Sequence, residues 1–256
     1  MSHAAGTAYP DTLRVRRRKP DARSVIGVAG EVLITLGVIV FLFLAYELWF
    51  TGLYTSRAQS NFKKELQQEW AAPPTAPAVL PGESPGPSTG PSTAAVPDVA
   101  VPGDAIGLIR IPKLGSNYEY AIVEGVSTND LKKGPGHYPG SAMPGQIGNF
   151  VVSGHRTTYL APFNGLGELA DGDAIVIETR DTWYTYKVTD VQVVLPTDVD
   201  VILPVPGKPK AKPTKKLITL TTCTPKYSAS HRLIIDGVLE SALPKAAGLP
   251  PALKGT

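Results

Sequence analysis

The 256-residue chain is 43% hydrophobic and 18% charged, with 25 prolines, 25 glycines and a single cysteine. This excludes a disordered polyelectrolyte and a chain made wholly of membrane helices, and one cysteine excludes both an internal disulfide framework and a cysteine-rich zinc site. The formal net charge is +3, but residues 1–24 hold six basic side chains against Asp11 and Asp21, so the basicity belongs to a tail and nucleic acid loses its main electrostatic argument.

In chain order, residues 1–24 form a basic tail. VIGVAGEVLITLGVIVFLFLAYELWF at 25–50 follows, interrupted only by Glu31 and Glu47. That length crosses a hydrocarbon core of about 30 Å as a helix. Tyr46 and Trp49 suit an interfacial belt, and the arginines before the span place the N-terminus in the cytoplasm. A cleaved signal peptide would have an apolar region of only about 7–15 residues and a small-residue exit site. The run here is longer and ends in bulky residues, so the expectation is a retained signal-anchor. Residues 53–70 read as a juxtamembrane helix, polar enough to lie against headgroups or stand in solvent. The stretch 71–102 has a proline every few residues and no periodicity; together 51–102 form a juxtamembrane segment and a Pro/Ala/Ser-rich linker. At roughly 3.1 Å per residue the proline-rich part reaches on the order of 100 Å, which would lift the following domain off the membrane.

Residues 103–243 read as one folded domain, with 244–256 as a C-terminal tail. Short β-branched runs stand at 105–111, 118–123, 148–154, 173–179, 182–194, 216–222 and 232–240. Turn sequences such as PGSAMPGQIG and ADGD separate them. Only short helices fit near STNDLKKG and FNGLGEL. The expected fold is all-β, a closed barrel, because closure removes edge strands.

A lone cysteine beyond a membrane span has no partner for a disulfide, and a small buried hydrophobe is the ordinary reading. Cys223, however, ends a strand, and after eight residues of loop the next strand opens at Arg232. Paired as an antiparallel hairpin, the two face each other across the barrel mouth. A guanidinium there can support a thiolate and donate to an oxyanion; alternatively Arg232 forms a surface ion pair with Asp236. Of the histidines, His3 lies in the tail, His231 should point away from Arg232, and His137 in GPGHYPG suits a structural hydrogen bond in a turn. His155 emerges where the strand NFVVSG ends. Cys223, His155 and Arg232 would supply nucleophile, proton shuttle and oxyanion donor.

The stretch TLTTCTP at 219–225 followed by Arg232 resembles the sortase signature, and GNFVVSGHRTTYLAPF at 148–163 resembles the family's histidine segment. AIGLIRIPKLG at 105–115 and EGVSTNDLKKGPGHYPGSAMPGQIGN at 124–149 are similar to sortases as well. The resemblance implies an eight-stranded sortase-type β-barrel with short helices and a membrane-anchored cysteine transpeptidase of Gram-positive bacteria. It is greatest to class E, the actinobacterial type whose sorting signal is LAxTG rather than LPxTG. Absence of an apolar span in 241–256 and of an aromatic lid motif in 71–102 departs from class C.

The resemblance further implies that Cys223 attacks the Thr–Gly bond of a sorting signal and that His155 shuttles the proton. Arg232 would steady the oxyanion, Thr222 orient the intermediate or merely fill a strand, and Tyr138 shape the substrate groove. The implied partners are secreted proteins bearing a sorting signal, a peptidoglycan precursor amine, and membrane lipid around the N-terminal helix. No cofactor, metal or nucleic acid is implied. An L,D-transpeptidase or anchored cysteine peptidase would need its own motif, and TTCTP does not supply a Gly-Cys-x-Arg arrangement. A non-enzymatic cell-wall binding barrel would have no reactive thiol.

Overall fold

A computed structural model describes residues 22–72 and 101–254. The basic tail up to residue 21 and the proline-rich stretch 73–100 lie outside the described residues. The chain forms two compact units, Met1–Tyr46 and Glu47–Thr256. Helix α1 spans Ala22–Ala71, and no proline interrupts it. Its segment Ile26–Leu44 has a mean hydropathy of 2.4 and no buried residues, long and apolar enough to cross a membrane. Apolar side chains on every side of a helix suit lipid rather than one protein face.

The second unit is built on eight strands: β1 Ala105–Arg110, β2 Glu119–Glu124, β3 Gly136–His137, β4 Gly148–Ser153, β5 Ala174–Glu178, β6 Thr182–Val194, β7 Lys216–Thr224 and β8 His231–Pro244. They close in the order β1-β2-β3-β4-β7-β8-β6-β5, the barrel expected from the sequence. The pairs β2–β3 and β4–β7 are parallel and the rest antiparallel. The run 182–194 is one strand, and two register shifts let it follow β8 around the wall. Closure of β1 on β5 depends on Gly107, where a Cβ would stand 2.6 Å from the Glu178 carbonyl. Likewise Gly136 lets β3 lie against Gly125, since a Cβ would stand 2.1 Å from the Gly125 carbonyl.

Alternation along each strand sends one set of side chains inward. Ile109, Ile122, Phe150, Val152, Ile175, Ile177, Tyr186, Ile218, Leu220 and Ile235 fill the barrel. Phe163 and Leu166, from the connection after β4, join the same core. Helix α2 (Thr128–Leu131) is a single turn held by a capping box between Ser127 and Asp130.

The membrane-distal part of α1 departs from the expectation of a helix free in solvent or against headgroups. It packs on the barrel. Leu66 is buried with Leu108 and Ala121, and Lys245 lies 4.1 Å from the Trp70 ring centroid. Gln59 acts as a strand substitute: Oε1 accepts from the Ala121 N–H at 2.7 Å, and Nε2 donates to the carbonyls of Ala121 and Lys133 at 3.1 and 2.9 Å. Thr55 Oγ1 donates to the Lys132 carbonyl at 2.7 Å. The spacer reading of 71–102 falls almost wholly outside the described residues, whereas the helix before it is held by the barrel. The physical reason is the open edge of β2, whose only bridges to β3 lie at Val123 and Glu124, leaving Ala121 to find polar partners elsewhere.

Gln59→Leu is therefore expected to destabilise the Glu47–Thr256 unit by about 1–3 kcal/mol, because the Ala121 amide and carbonyl would be buried without these partners. Denaturant titration of the wild type and variant checks this; equal midpoints would mean that water or a neighbour replaces Gln59.

Candidate active site

β7 and β8 pair with Cys223 directly opposite Arg232, as the hairpin reading required. Both stand at strand ends, next to last in β7 and second in β8. Ile218, Leu220, Leu233 and Ile235 point into the core, so by alternation Thr219, Thr221, Cys223 and Arg232 lie on the outer face of the wall. Cys223 is half-buried and free. The same alternation sends Thr222 inward. Its side chain is 2% exposed, and its hydroxyl donates to the Gly154 carbonyl at 2.7 Å. Thr222 thereby ties β7 to the backbone that delivers His155.

His155 follows the end of β4, and its neighbours on both sides bond to β7. The Gly154 N–H donates to the Thr221 carbonyl at 3.1 Å, and Arg156 Nη1 donates to the Cys223 carbonyl at 3.4 Å. The histidine is thereby held beside the nucleophile's strand. Its ring lies 5.0 Å from that of Tyr159, and its buried Nε2 has no hydrogen-bond partner within the protein. A buried nitrogen without a partner is unusual and marks a place where substrate polarity fits.

The loop carrying His155 is held at several points. The Phe163 N–H donates to the His155 carbonyl at 3.0 Å, and Tyr118 Oη donates to the Pro162 carbonyl at 2.7 Å. Between them Tyr159, Leu160 and Ala161 all have positive φ, 52°, 61° and 46°. Three consecutive non-glycine residues in this region persist only where the surroundings over-determine them. Asn164 adds a reciprocal clasp: Nδ2 donates to the Arg156 carbonyl, Arg156 Nε donates to the Asn164 carbonyl, and Lys226 Nζ donates to Asn164 Oδ1. Sequence reading missed Arg156, Asn164 and Lys226. The only signal was an arginine directly after the strand-exit histidine.

Arg232 does not form the alternative ion pair. Asp236 accepts from Thr219 Oγ1 at 2.6 Å and Gln192 Nε2 at 3.0 Å, and burial raises its pKa above the usual carboxylate value. Arg232 Nη1 instead donates to the carbonyls of Ala229 and His231 at 3.0 and 3.1 Å. Its Nε and Nη2 have no protein acceptor and remain for another oxygen.

His137 occupies a different environment from His155. It is 2% exposed, stacked on Phe150, with Nδ1 2.5 Å from Glu124 Oε2 and Nε2 2.7 Å from Ser141 Oγ. The Ser141 hydroxyl oxygen in turn accepts from the Val151 N–H at 3.3 Å. Both ring nitrogens are spent on fixing the turn that carries Tyr138. His231 is exposed at the start of β8 and contacts only Ser230. Tyr138 lines a cavity of about 470 Å³ together with Ser141, Asn149, Ile202 and Leu203. Asn149 anchors the far wall of this cavity by donating to the Leu203 carbonyl at 3.1 Å.

A cysteine facing an arginine, with a histidine held beside them, is a layout for thiol-based acyl transfer. The sortase domain model matches residues 109–240. The chain belongs to the sortase family. Sortase SrtE1 of Streptomyces coelicolor is 34% identical over 249 residues, covering 94% of this chain and 64% of that protein. Sortase SrtE2 of the same organism is 31% identical, covering 87% of this chain and 86% of that one. Sortase E from Streptomyces avermitilis aligns structurally with a TM-score of 0.56 at 42% identity, covering 60% of this chain and 99% of that one. Sortase E1 from Streptomyces coelicolor, solved with a tripeptide in its active site, aligns at 0.55 and 38% identity, with the same coverages. These relatives place the sortase in class E, as a cysteine transpeptidase.

Burial lowers the pKa of His155 below its ordinary 6.5 by disfavouring the charged ring. The unfolded chain therefore binds the proton more readily. Stability from this site is complete above pH 6.5 and is lost as pH falls through 6.5 toward the folded-state value. The melting temperature of the wild-type sortase is expected to drop more between pH 7.5 and 5.5 than that of His155→Gln. Parallel curves for the two proteins would show that the ring titrates as it does in the unfolded chain.

Proposed function

We propose that this sortase cleaves an LAxTG- or LPxTG-like C-terminal sorting signal between Thr and Gly and joins the secreted protein to a peptidoglycan amine. The observation that carries the reading is Cys223 opposite Arg232, with His155 bracketed by the Gly154 N–H and the Arg156 side chain, both donating to β7 carbonyls. As the Cys223 sulfur attacks the threonine carbonyl, neutral His155 takes the thiol proton and the carbonyl π electrons move to oxygen. Arg232 Nε and Nη2 donate to that oxyanion. On collapse the C–N bond breaks, and the His155 imidazolium gives its proton to the departing glycine nitrogen. The threonine acyl group is then held as a thioester on Cys223. An incoming amine attacks the thioester carbon, the C–S bond breaks, and neutral His155 takes the surplus proton.

Donor binding is supported by the Tyr138 cavity, beside the start of β4, and by half-buried Ser153 next to the histidine loop; Asn149 and Val151 between them are buried. Six residues from Asn149 to His155 correspond to about 20 Å of strand, the span of five or six extended peptide residues. Tyr138 and the β6–β7 loop would receive the leading residues of the signal while its threonine reaches Cys223. The apolar segment of α1 and the arginines before it support a single-pass anchor with a cytoplasmic N-terminus and an external barrel. By this reading the anchor is retained, and residues 103–243 form the catalytic domain.

The test is an LAxTG peptide carrying a quencher pair, offered with and without an amine to the full chain in detergent. Cleavage with transfer to the amine is expected. Cleavage products at other bonds, or none, would overturn the reading.

A further inference from the structure

A second cavity, of about 490 Å³, lies between the juxtamembrane part of α1 and the start of β2, and Leu160 of the histidine loop forms one wall. We propose that this cavity is the acceptor subsite, receiving the sugar-and-peptide body of the amine-bearing cell-wall precursor. The inference rests on the donor reading above, which uses the Tyr138 cavity.

Topology separates the two cavities. β3 is parallel to β2 and antiparallel to β4, so the start of β4 and the start of β2 lie toward opposite ends of the wall. The Tyr138 cavity takes Gly148 and Asn149 at the start of β4; the second takes Tyr118, Glu119 and Tyr120 at the start of β2. His155 leaves the sheet at the end of β4, between them. The entering amine nitrogen must take the place the departing glycine nitrogen leaves, because His155 exchanges protons with both, so the body of the acceptor lies beyond the cleaved bond and away from the acyl residues held at the Tyr138 cavity.

The wall between this cavity and His155 is thin and fixed. Tyr159 carries the ring that touches the His155 ring, and the next residue, Leu160, lines the cavity. Adjacent Cα atoms stand about 3.8 Å apart, so an amine on a short branch can cross while its parent stays seated. Tyr120 Oη donates to the Leu160 carbonyl at 3.4 Å and Tyr118 Oη to the Pro162 carbonyl, which hold that wall in place.

The lining names the chemistry. Ser56, Ser60, Ser116 and Asn117 offer hydroxyl and amide groups suited to a glycopeptide. Lys63 is the cation on this wall, held by the Glu119 carboxylate at 2.9 Å and by the Glu119 carbonyl at 3.0 Å while its side chain stays 31% exposed. Glu119 is itself shared with Arg110. Lys63 is therefore positioned to take one carboxylate of a stem peptide. The volume falls within the usual range of about 300–1,000 Å³ for small-ligand sites.

On transfer, the acceptor nitrogen forms its bond to the thioester carbon, the C–S bond breaks with the electron pair returning to Cys223, and the proton on nitrogen passes to His155. Cavity-filling changes should therefore affect transfer and spare hydrolysis of the donor. Ser60→Trp from α1 and Ser116→Trp from the β1–β2 connection are both exposed substitutions that occupy the cavity from different elements. The full chain in detergent is assayed with an LAxTG donor and two amines: a muramyl pentapeptide with a free side-chain amine, and triglycine, too short to fill the cavity. Both variants are expected to raise KM for the muramyl pentapeptide at least tenfold, with donor hydrolysis and triglycine KM within twofold of wild type. Unchanged use of the muramyl pentapeptide by both variants would overturn the proposal. Parallel loss with triglycine would also overturn it, because the change would then act through the histidine loop. Absence of donor cleavage by the wild type would instead refute the underlying donor reading.

Discussion

His155→Ala is expected to lower cleavage of a sorting peptide by a factor on the order of 10²–10⁴ while leaving the barrel folded. The ring removed is half-buried, and its buried Nε2 bonds to no other group of the protein, so few structural contacts are lost with it. The His137→Ala change is expected to act in the opposite way. It removes the partner of buried Glu124 and of Ser141, a loss of about 3 kcal/mol or more if the carboxylate is left charged and unpaired. Melting curves and kcat/KM for both variants separate the two roles. A folded His137→Ala protein without activity, beside an active His155→Ala protein, would reverse the assignment.

Arg232→Ala is expected to lower turnover by a factor on the order of 10²–10³, the usual effect of losing an oxyanion donor. Among the described residues no ion pair offers a route for the same change: Arg232 donates to carbonyls of its own loop, and Asp236 is satisfied by Thr219 and Gln192. An exposed ion pair would in any case contribute at most about 1 kcal/mol to stability. Lysine restores the charge without the planar fork, so Arg232→Lys should recover only part of the activity. The check is kcat/KM with a melting curve and thiol labelling of Cys223 in each variant. Near-normal turnover in folded Arg232→Ala would leave a Cys–His pair working without it.

The barrel was legible because its core strands alternate β-branched residues with polar ones, as in Lys216–Thr224, where Ile218 and Leu220 face in and Thr219, Thr221 and Cys223 face out. β3 was not, since two residues, Gly136 and His137, carry no period. Facing of Cys223 and Arg232 followed from a hairpin of countable length. Their place on the outer face of the wall did not, because the wall's curvature is a property of all eight strands. The docking of α1 escaped the sequence reading for a chemical reason. Beside Leu66 and Trp70, its barrel-facing groups Thr55, Gln59 and Lys63 are polar and satisfy backbone at and beside the β2 edge, and amphipathicity registers only the apolar part of such a face. Arg156 escaped because its role depends on the fold-back of residues 155–164, set by three left-handed residues that no local pattern announces. Parity along β7 turns Thr222 toward Gly154, a contact that depends on how the chain leaves β4.

The central claim is that Cys223 carries the acyl group between donor and acceptor. Its most direct test is the intact mass of the full chain quenched in acid during reaction with an LAxTG peptide and no added amine. The account predicts an added mass equal to the peptide acyl fragment ending at threonine, located on Cys223, that disappears when an amine is supplied and never forms in Cys223→Ala. Cleavage of the peptide at the same rate by Cys223→Ala, or an adduct on any other residue, would contradict it.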